Sequence, residues 1–175
     1  MAITVKATLD TNKGFKELNQ FKKDFNRLAQ EWVQVGFDSS EIHHTNERGK
    51  KEDVNMAELA AWLHEGTKDG RIPPRPFFEG TLQQMMGKSE ANKLVPLVKK
   101  LYMGFGKGKN LNKHITDFLE GVGEHLKKKT QDNFGIDNTI GLVDNAPSTI
   151  KQKGRNDPLV DTHKLRDGML VKTSK

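Results

Sequence analysis

The pair His64-Glu65 is the first place in this chain where side chains of catalytic type stand together, and it matches the opening of a zinc-protease helix. That chemistry needs a second histidine one helical turn after the first, so that both imidazoles share a face; Lys68 occupies the position instead. His43 and His44 stand beside Glu41 and Glu47, but adjacent side chains do not converge on one ion from a regular backbone. Gly104 to Lys109 mixes glycine with lysine yet lacks the spacing, the Lys-Ser/Thr ending and the preceding strand of a phosphate loop. No serine sits in a nucleophile elbow, and no pair of carboxylates stands out from the surface acids. Catalytic, cofactor-binding and metal-binding residues are therefore none, and a non-enzymatic protein is expected.

The stretch Gly70-Arg71-Ile72-Pro73-Pro74-Arg75-Pro76-Phe77-Phe78 carries a different kind of information. Each proline fixes φ near −65° and biases its predecessor toward extended backbone, so Ile72 to Arg75 reads as a stiff extended arm, with Pro76 suited to open a helix. Two guanidinium groups and two aromatic rings are thereby held at defined places, which is how a contact surface is built. Phe77 and Phe78 cannot both face inward from a helix, so one is expected in the core and the other against a neighbour.

The elements around the arm follow from periodicity. Ile3, Val5, Ala7 and Leu9 alternate with polar residues as in a strand with one buried face. Phe15, Leu18, Phe21, Phe25, Leu28 and Trp32 recur at steps of three and four and predict a long N-terminal core helix. Val33, Val35 and Phe37 predict a second strand beside the first. Residues 38–53 read as an exposed loop or a loose hairpin tip, and Asn55 with Glu58 forms a capping pair for a helix over Met56–His64 that Gly66 ends.

Further helices are expected from Pro76 to about Met86, from Ser89 to Tyr102 with an interruption at Pro96 unless that residue falls within the first turns, and from Leu111 to about Asn133. Gly121 and Gly123 each cost the last of these roughly 1 kcal/mol relative to alanine and mark a bend or a close helix contact. The C-terminal 135–175 is loop-rich: Thr149–Gly154 is expected to order only against a partner, Thr162 to cap a short helix through Arg166, and Met169-Leu170-Val171 to add a strand. The sum is one α+β domain over 1–175, a small antiparallel sheet covered on one face by helices.

Composition sets the outer limits. A chain of 175 residues with 34% apolar and 30% charged residues supports a small core, which suggests stability borrowed from neighbours. It contains no cysteine, consistent with assembly in a reducing cytoplasm, and neither a signal peptide nor an apolar run of bilayer length. The formal charge of +6 favours polyanionic surroundings without naming them.

Two segments carry a family resemblance. Ala57 to Thr67 followed by Ile72 to Phe78 gives a small-residue-rich helix, an acidic residue with Gly-Thr, then Pro-Pro-Arg-Pro-Phe; Ser148 to Gly154 and Asp157 to Arg166 follow in the right order. Together they resemble the minor tail, neck and tail-completion proteins of tailed bacteriophages, the virion morphogenesis family. The chain departs from it at Asp161-Thr162-His163, where the family has Asp-Thr-Gly, and at Asp167-Gly168-Met169, where a Ser-Ile pair is common. Histidine tolerates a left-handed backbone less well than glycine, which puts that turn in question.

The resemblance implies a structural virion protein at the head–tail junction: a homo-oligomeric, six-fold ring that contacts the head connector and tail proteins and lets DNA pass, assembled in the host cytoplasm without a membrane. It implies that Arg71, Pro73, Pro74, Arg75, Phe77 and Phe78 form the inter-subunit arm, and that Lys153, Arg155, Asp161 and Arg166 anchor the C-terminal segment to a neighbouring ring. The candidate DNA-facing residues are Lys107, Lys109, Lys127, Lys128 and Lys129. They also support the alternative, a small basic DNA-binding protein. Against it, Asp117, Glu120, Glu124 and Asp132 interleave with lysines on the long helix, and aromatics for single-strand stacking are missing. A virion hydrolase is the third class, discriminated by turnover of peptidoglycan or peptide.

Overall fold

The alternating apolar residues of β1 (Val33–Phe37) and the apolar start of β4 (Met169–Thr173) pair antiparallel, with Val35 opposite Val171 and Phe37 opposite Met169. The computed structural model describes residues 11–47, 50–106 and 110–174. The expected strand over Ile3–Leu9, the Arg48-Gly49 tip, Lys107 and Lys109 lie outside these residues. Among the described residues the fold is α+β, with the remaining elements α1 (Thr11–Leu28), β2 (Ile42–Glu47), β3 (Lys50–Asn55), α2 (Met56–Glu65), α3 (Phe77–Met85), α4 (Lys88–Tyr102), α5 (Leu111–Asp132), α6 (Pro147–Lys153) and α7 (Lys164–Asp167).

The long helix α5 lies across one face of the β1–β4 pair. Its glycines permit the approach: a methyl group on Gly123 would stand 2.4 Å from Val171 Cγ1 and 2.7 Å from Val33 Cγ2, and one on Gly121 would stand 2.8 Å from Leu97 Cδ1 of α4. The two glycines therefore mark close contact, one to the sheet and one to a helix. Glu90 of α4, buried, joins α4 to α5 by accepting from Lys93 Nζ at 2.8 Å and pairing with His125 Nε2 at 2.9 Å and Lys129 Nζ at 3.6 Å.

Two apolar clusters hold the fold. Met56, Phe77, Phe134, Leu165 and Met169 belong to the larger; Leu101, Leu111, Ile115 and Leu119 form the smaller, between α4 and α5.

The aromatic stripe of α1 is not core, contrary to the sequence reading. Phe15, Leu18 and Phe25 are 66%, 63% and 56% exposed, and Trp32 is also exposed. Two members of the stripe do pack within the chain: Phe21, edge-on to Phe105 and Tyr102 at centroid distances of 5.3 and 6.3 Å, and Leu28, against the smaller cluster. Asp24 is the helix residue that becomes buried, accepting from Gln20 Nε2 and from the Gly106 amide at 2.7 and 2.9 Å. Periodicity reports that a helix has an apolar face; it does not say that the same chain covers it.

Other boundaries moved for identifiable reasons. Residues 42–47 and 50–55, expected as an exposed loop or loose hairpin tip, pair antiparallel from Ile42 opposite Asn55 to Glu47 opposite Lys50. α4 runs unbroken through Pro96: Pro96 and Asn92, whose carbonyl loses its usual donor, are both exposed residues, so solvent can take that donor's place. α3 starts one residue after Pro76. β1 finds its partner in β4 at the far end of the chain, extended by the Ser174 amide donating to the Trp32 carbonyl at 3.0 Å. Asn55 caps α2 as expected, accepting from the Glu58 amide at 2.8 Å.

Candidate functional site

The expected arm does not project; it folds back on α2. Gly66 ends that helix with φ of 77°, and any side chain there would meet the Ile72 carbonyl oxygen at 2.8 Å and Pro74 N at 2.9 Å. Glycine is thus required twice over, by its dihedral and by the backbone passing above it. Thr67 ties the turn: its amide donates to the Ile72 carbonyl at 2.9 Å, and its hydroxyl donates to Asp69 Oδ1 at 2.6 Å and accepts from the Ile72 amide at 3.0 Å. The Arg75 amide then donates to the Leu63 and His64 carbonyls at 3.1 Å, covering acceptors that the end of α2 leaves open.

Arg75 is 5% exposed. Its Nε donates to the Val143 carbonyl at 2.8 Å, and one Nη donates to the Asp144 carbonyl at 3.0 Å and Asn145 Oδ1 at 3.4 Å. Burial pushes its pKa down, and the nearby Asp144 opposes the shift. Phe77 is fully buried, its ring 4.8 Å from His64 and 5.2 Å from Phe134. Phe78 is half-buried against Phe77 and Phe37. These positions correct the assignment of Arg75 and Phe77 to a subunit interface, because both spend their contact groups inside their own chain. Arg71 and Pro74 remain exposed, Arg71 paired with Asp69 at 3.1 Å, and Pro73 is half-buried.

The C-terminal segment arrives from the other side. Pro147 at the first position of α6 and Gly154 in the left-handed region after it bound that helix, which forms in the single chain with no buried residue. Lys153 Nζ donates to the Asp157 carbonyl at 3.0 Å; Arg155 pairs with Asp157 at 3.0 Å and donates to the Asp161 carbonyl at 3.1 Å. Thr162 caps nothing: His163 holds the N-cap position of α7 in a left-handed conformation, φ 62°. A residue with a Cβ adopts this conformation less readily than glycine.

Between the arm, α2, α6 and the 159–165 segment lies an open cavity of about 560 Å³. Arg71, Pro73, Arg75, Lys153 and Asp161 all line it, so the arm and the C-terminal segment, about 80 residues apart, share one surface. Arg155 and Arg166 are not among its lining residues, and the Arg166 carbonyl accepts from Gln131 Nε2 at 2.6 Å. Sequence reasoning missed the other wall, Leu59, Leu63, Asn145 and Leu159. The signal available was the Asn145-Ala146-Pro147 sequence, which reads as a helix start.

The lysine run does not form a shared face. Lys129 turns to Glu90 at 3.6 Å and Lys127 to Glu124 at 4.0 Å, while Lys128 is exposed. No helix among the described residues is long and apolar enough to cross a membrane. In comparisons with known proteins, no family model, curated protein or solved structure matches the chain.

Proposed function

We propose that this chain is a structural protein of a tailed-bacteriophage virion, acting as a homo-oligomeric ring at the head–tail junction that joins the tail to the head connector and lets DNA pass. The observation that carries the reading is that residues of the two resembling segments, 57–78 and 148–166, line one groove. Residues that resemble a family in two separate stretches gain weight when they build one piece of architecture. The hydrogen bonds around the groove fix segments to one another, which suits assembly better than turnover.

The subunit interface in this reading moves from the arm to α1. Phe15, Leu18 and Phe25, with Val98, Tyr102 and Met103 at the α4 end, are exposed apolar groups whose burial between copies would stabilise an assembly. Mass measurement of the purified protein across a concentration series tests this. A rise toward a closed ring, lost on replacing Phe15 and Leu18 together by serine, is expected. A compact monomer at every concentration that also fails to join tails would overturn it, and micromolar duplex-DNA binding at physiological salt would favour the DNA-binding alternative.

A further inference from the structure

Between α1 and the first residues of α5 lies an open cleft of about 610 Å³, separate from the groove of the arm. Lys23 and Arg27 line it from α1 and Lys113 from α5, and Asp24 is the one carboxylate among its lining residues. Asp24 is buried, and its two oxygens already accept from Gln20 Nε2 and the Gly106 amide. The three cations are exposed and spend little of their charge within the chain. Neither Lys23 nor Lys113 has a hydrogen bond or ion pair among the described residues; Asp117, whose carboxylate feels Lys113, accepts from Lys100 Nζ at 2.7 Å. Arg27 meets Glu31 only at 3.9 Å. Lys16 continues the row: with Gln20, Lys23 and Arg27 it recurs at steps of four, three and four, so these residues share one face of α1 over about 16 Å. By the same periodicity the exposed Phe15, Leu18 and Phe25 fall on a different side, so burying the apolar side between copies need not cover the basic one.

The lining favours a nucleic-acid backbone over a protein. Lysine is depleted at the centres of protein interfaces, and Leu111 is the only apolar residue in the cleft's lining. Phosphate oxygens are met on open, water-rich surface by lysine and arginine together with amide side chains, and here Gln20, Asn110 and Asn112 stand among the cations. Cations spread over two helices suit successive phosphates better than a single enclosed one. No aromatic ring lines the cleft, so it offers a single strand nothing to stack on, which favours a duplex.

We infer that the basic face of α1 and its cleft against α5 form a contact site for the phosphate backbone of duplex DNA, carried by Lys16, Lys23, Arg27 and Lys113 and indifferent to sequence. That the duplex is one in transit through a ring rests on the proposed function; the phosphate contact does not.

Fluorescence anisotropy of a labelled duplex, titrated with the full chain across a series of salt concentrations, tests it. Four cations predict a slope of log affinity against log salt of about −3.6, a roughly fiftyfold loss between about 50 and 150 mM, so that binding is measurable at low salt and weaker than micromolar at physiological salt. Changing Lys23 and Lys113 together to glutamine should lower the affinity at about 50 mM by about tenfold or more and take about 1.8 off the slope. Lys99→Gln with Lys128→Gln removes the same charge from exposed positions elsewhere and should change affinity by less than about threefold. All four lysines are exposed, so both variants should keep the melting midpoint of the parent chain. Equal losses in the two double variants, no binding at low salt, or displacement by millimolar inorganic phosphate at constant ionic strength would overturn the inference. Displacement by polyglutamate as readily as by unlabelled duplex of equal charge would overturn it in favour of an acidic protein partner. Salt-dependent binding by a protein that never forms rings would leave the cleft standing and remove the assembly reading; ring formation without DNA binding would do the reverse.

Discussion

Arg75 Nε and the Val143 carbonyl oxygen are 2.8 Å apart although the residues are separated by 68 positions, and this bond fastens the proline arm to the segment that leads into α6. The stiffness of the arm serves this fastening. With Pro73, Pro74 and Pro76 limiting the backbone, the guanidinium arrives nearly pre-positioned, so little chain entropy is lost in making its hydrogen bonds.

Replacing Arg75 by alanine should therefore unfold the subunit before it affects assembly. Losing charged hydrogen bonds to the Val143 and Asp144 carbonyls and leaving those acceptors open is expected to cost about 2–4 kcal/mol, measured by denaturant titration. Arg75→Lys, which keeps the charge but loses the fork, should recover less than half. An unchanged midpoint for Arg75→Ala would return this residue to the surface role that the family resemblance implies.

The two glycines of α5 should respond unequally to alanine. Gly123→Ala forces a methyl to 2.4 Å from Val171 Cγ1 in a packed helix–sheet contact, where overpacking outweighs the gain in helix propensity, for a net loss of about 1–2 kcal/mol. Gly121→Ala meets the Leu97 side chain alone, closest at its two methyl groups, which can rotate away, and should change stability by less than about 0.5 kcal/mol. Thermal melts of the two variants side by side decide the matter.

His163→Gly should stabilise the chain. The left-handed φ of 62° strains a residue with a Cβ, and relieving it outweighs the extra freedom glycine has when unfolded, giving a gain of about 0.5–1 kcal/mol by denaturant titration. A loss of stability would mean that the imidazole contributes more than its exposed position indicates.

Acid should loosen α4 from α5. The Lys93 hydrogen bond, helped by His125 and opposed by burial, lowers the Glu90 pKa from 4.5 to about 2. A carboxylate whose folded pKa is depressed contributes stability above its unfolded value and loses it as pH falls, so this contribution is full above about pH 4.5 and declines toward pH 2. Melts of Glu90→Gln against pH should show lower stability at neutral pH and a flatter acid limb over that window. Parallel curves for the two proteins would show that the acid limb arises elsewhere.

The sequence by itself determined the local units. Asn55 with Glu58, Gly66 and the 3.6-residue pattern of Leu111–Asp132 located α2 and α5, because caps, left-handed turns and helical periodicity are encoded within a few neighbouring residues. Alternation in Val33–Phe37 and the apolar run Met169–Val171 likewise marked two strands, without saying that they pair with each other. What covers an apolar face, and what a buried cation binds, depend on distant parts of the chain, so only the tertiary structure decided them. It left Phe15, Leu18 and Phe25 of α1 exposed where periodicity predicted core, and it turned Arg75 and Phe77 inward where the family resemblance implied an interface. It also joined the arm to residues 143–165 around a shared groove, since the acceptors that satisfy a guanidinium are carbonyls, which every residue carries and no sequence pattern distinguishes.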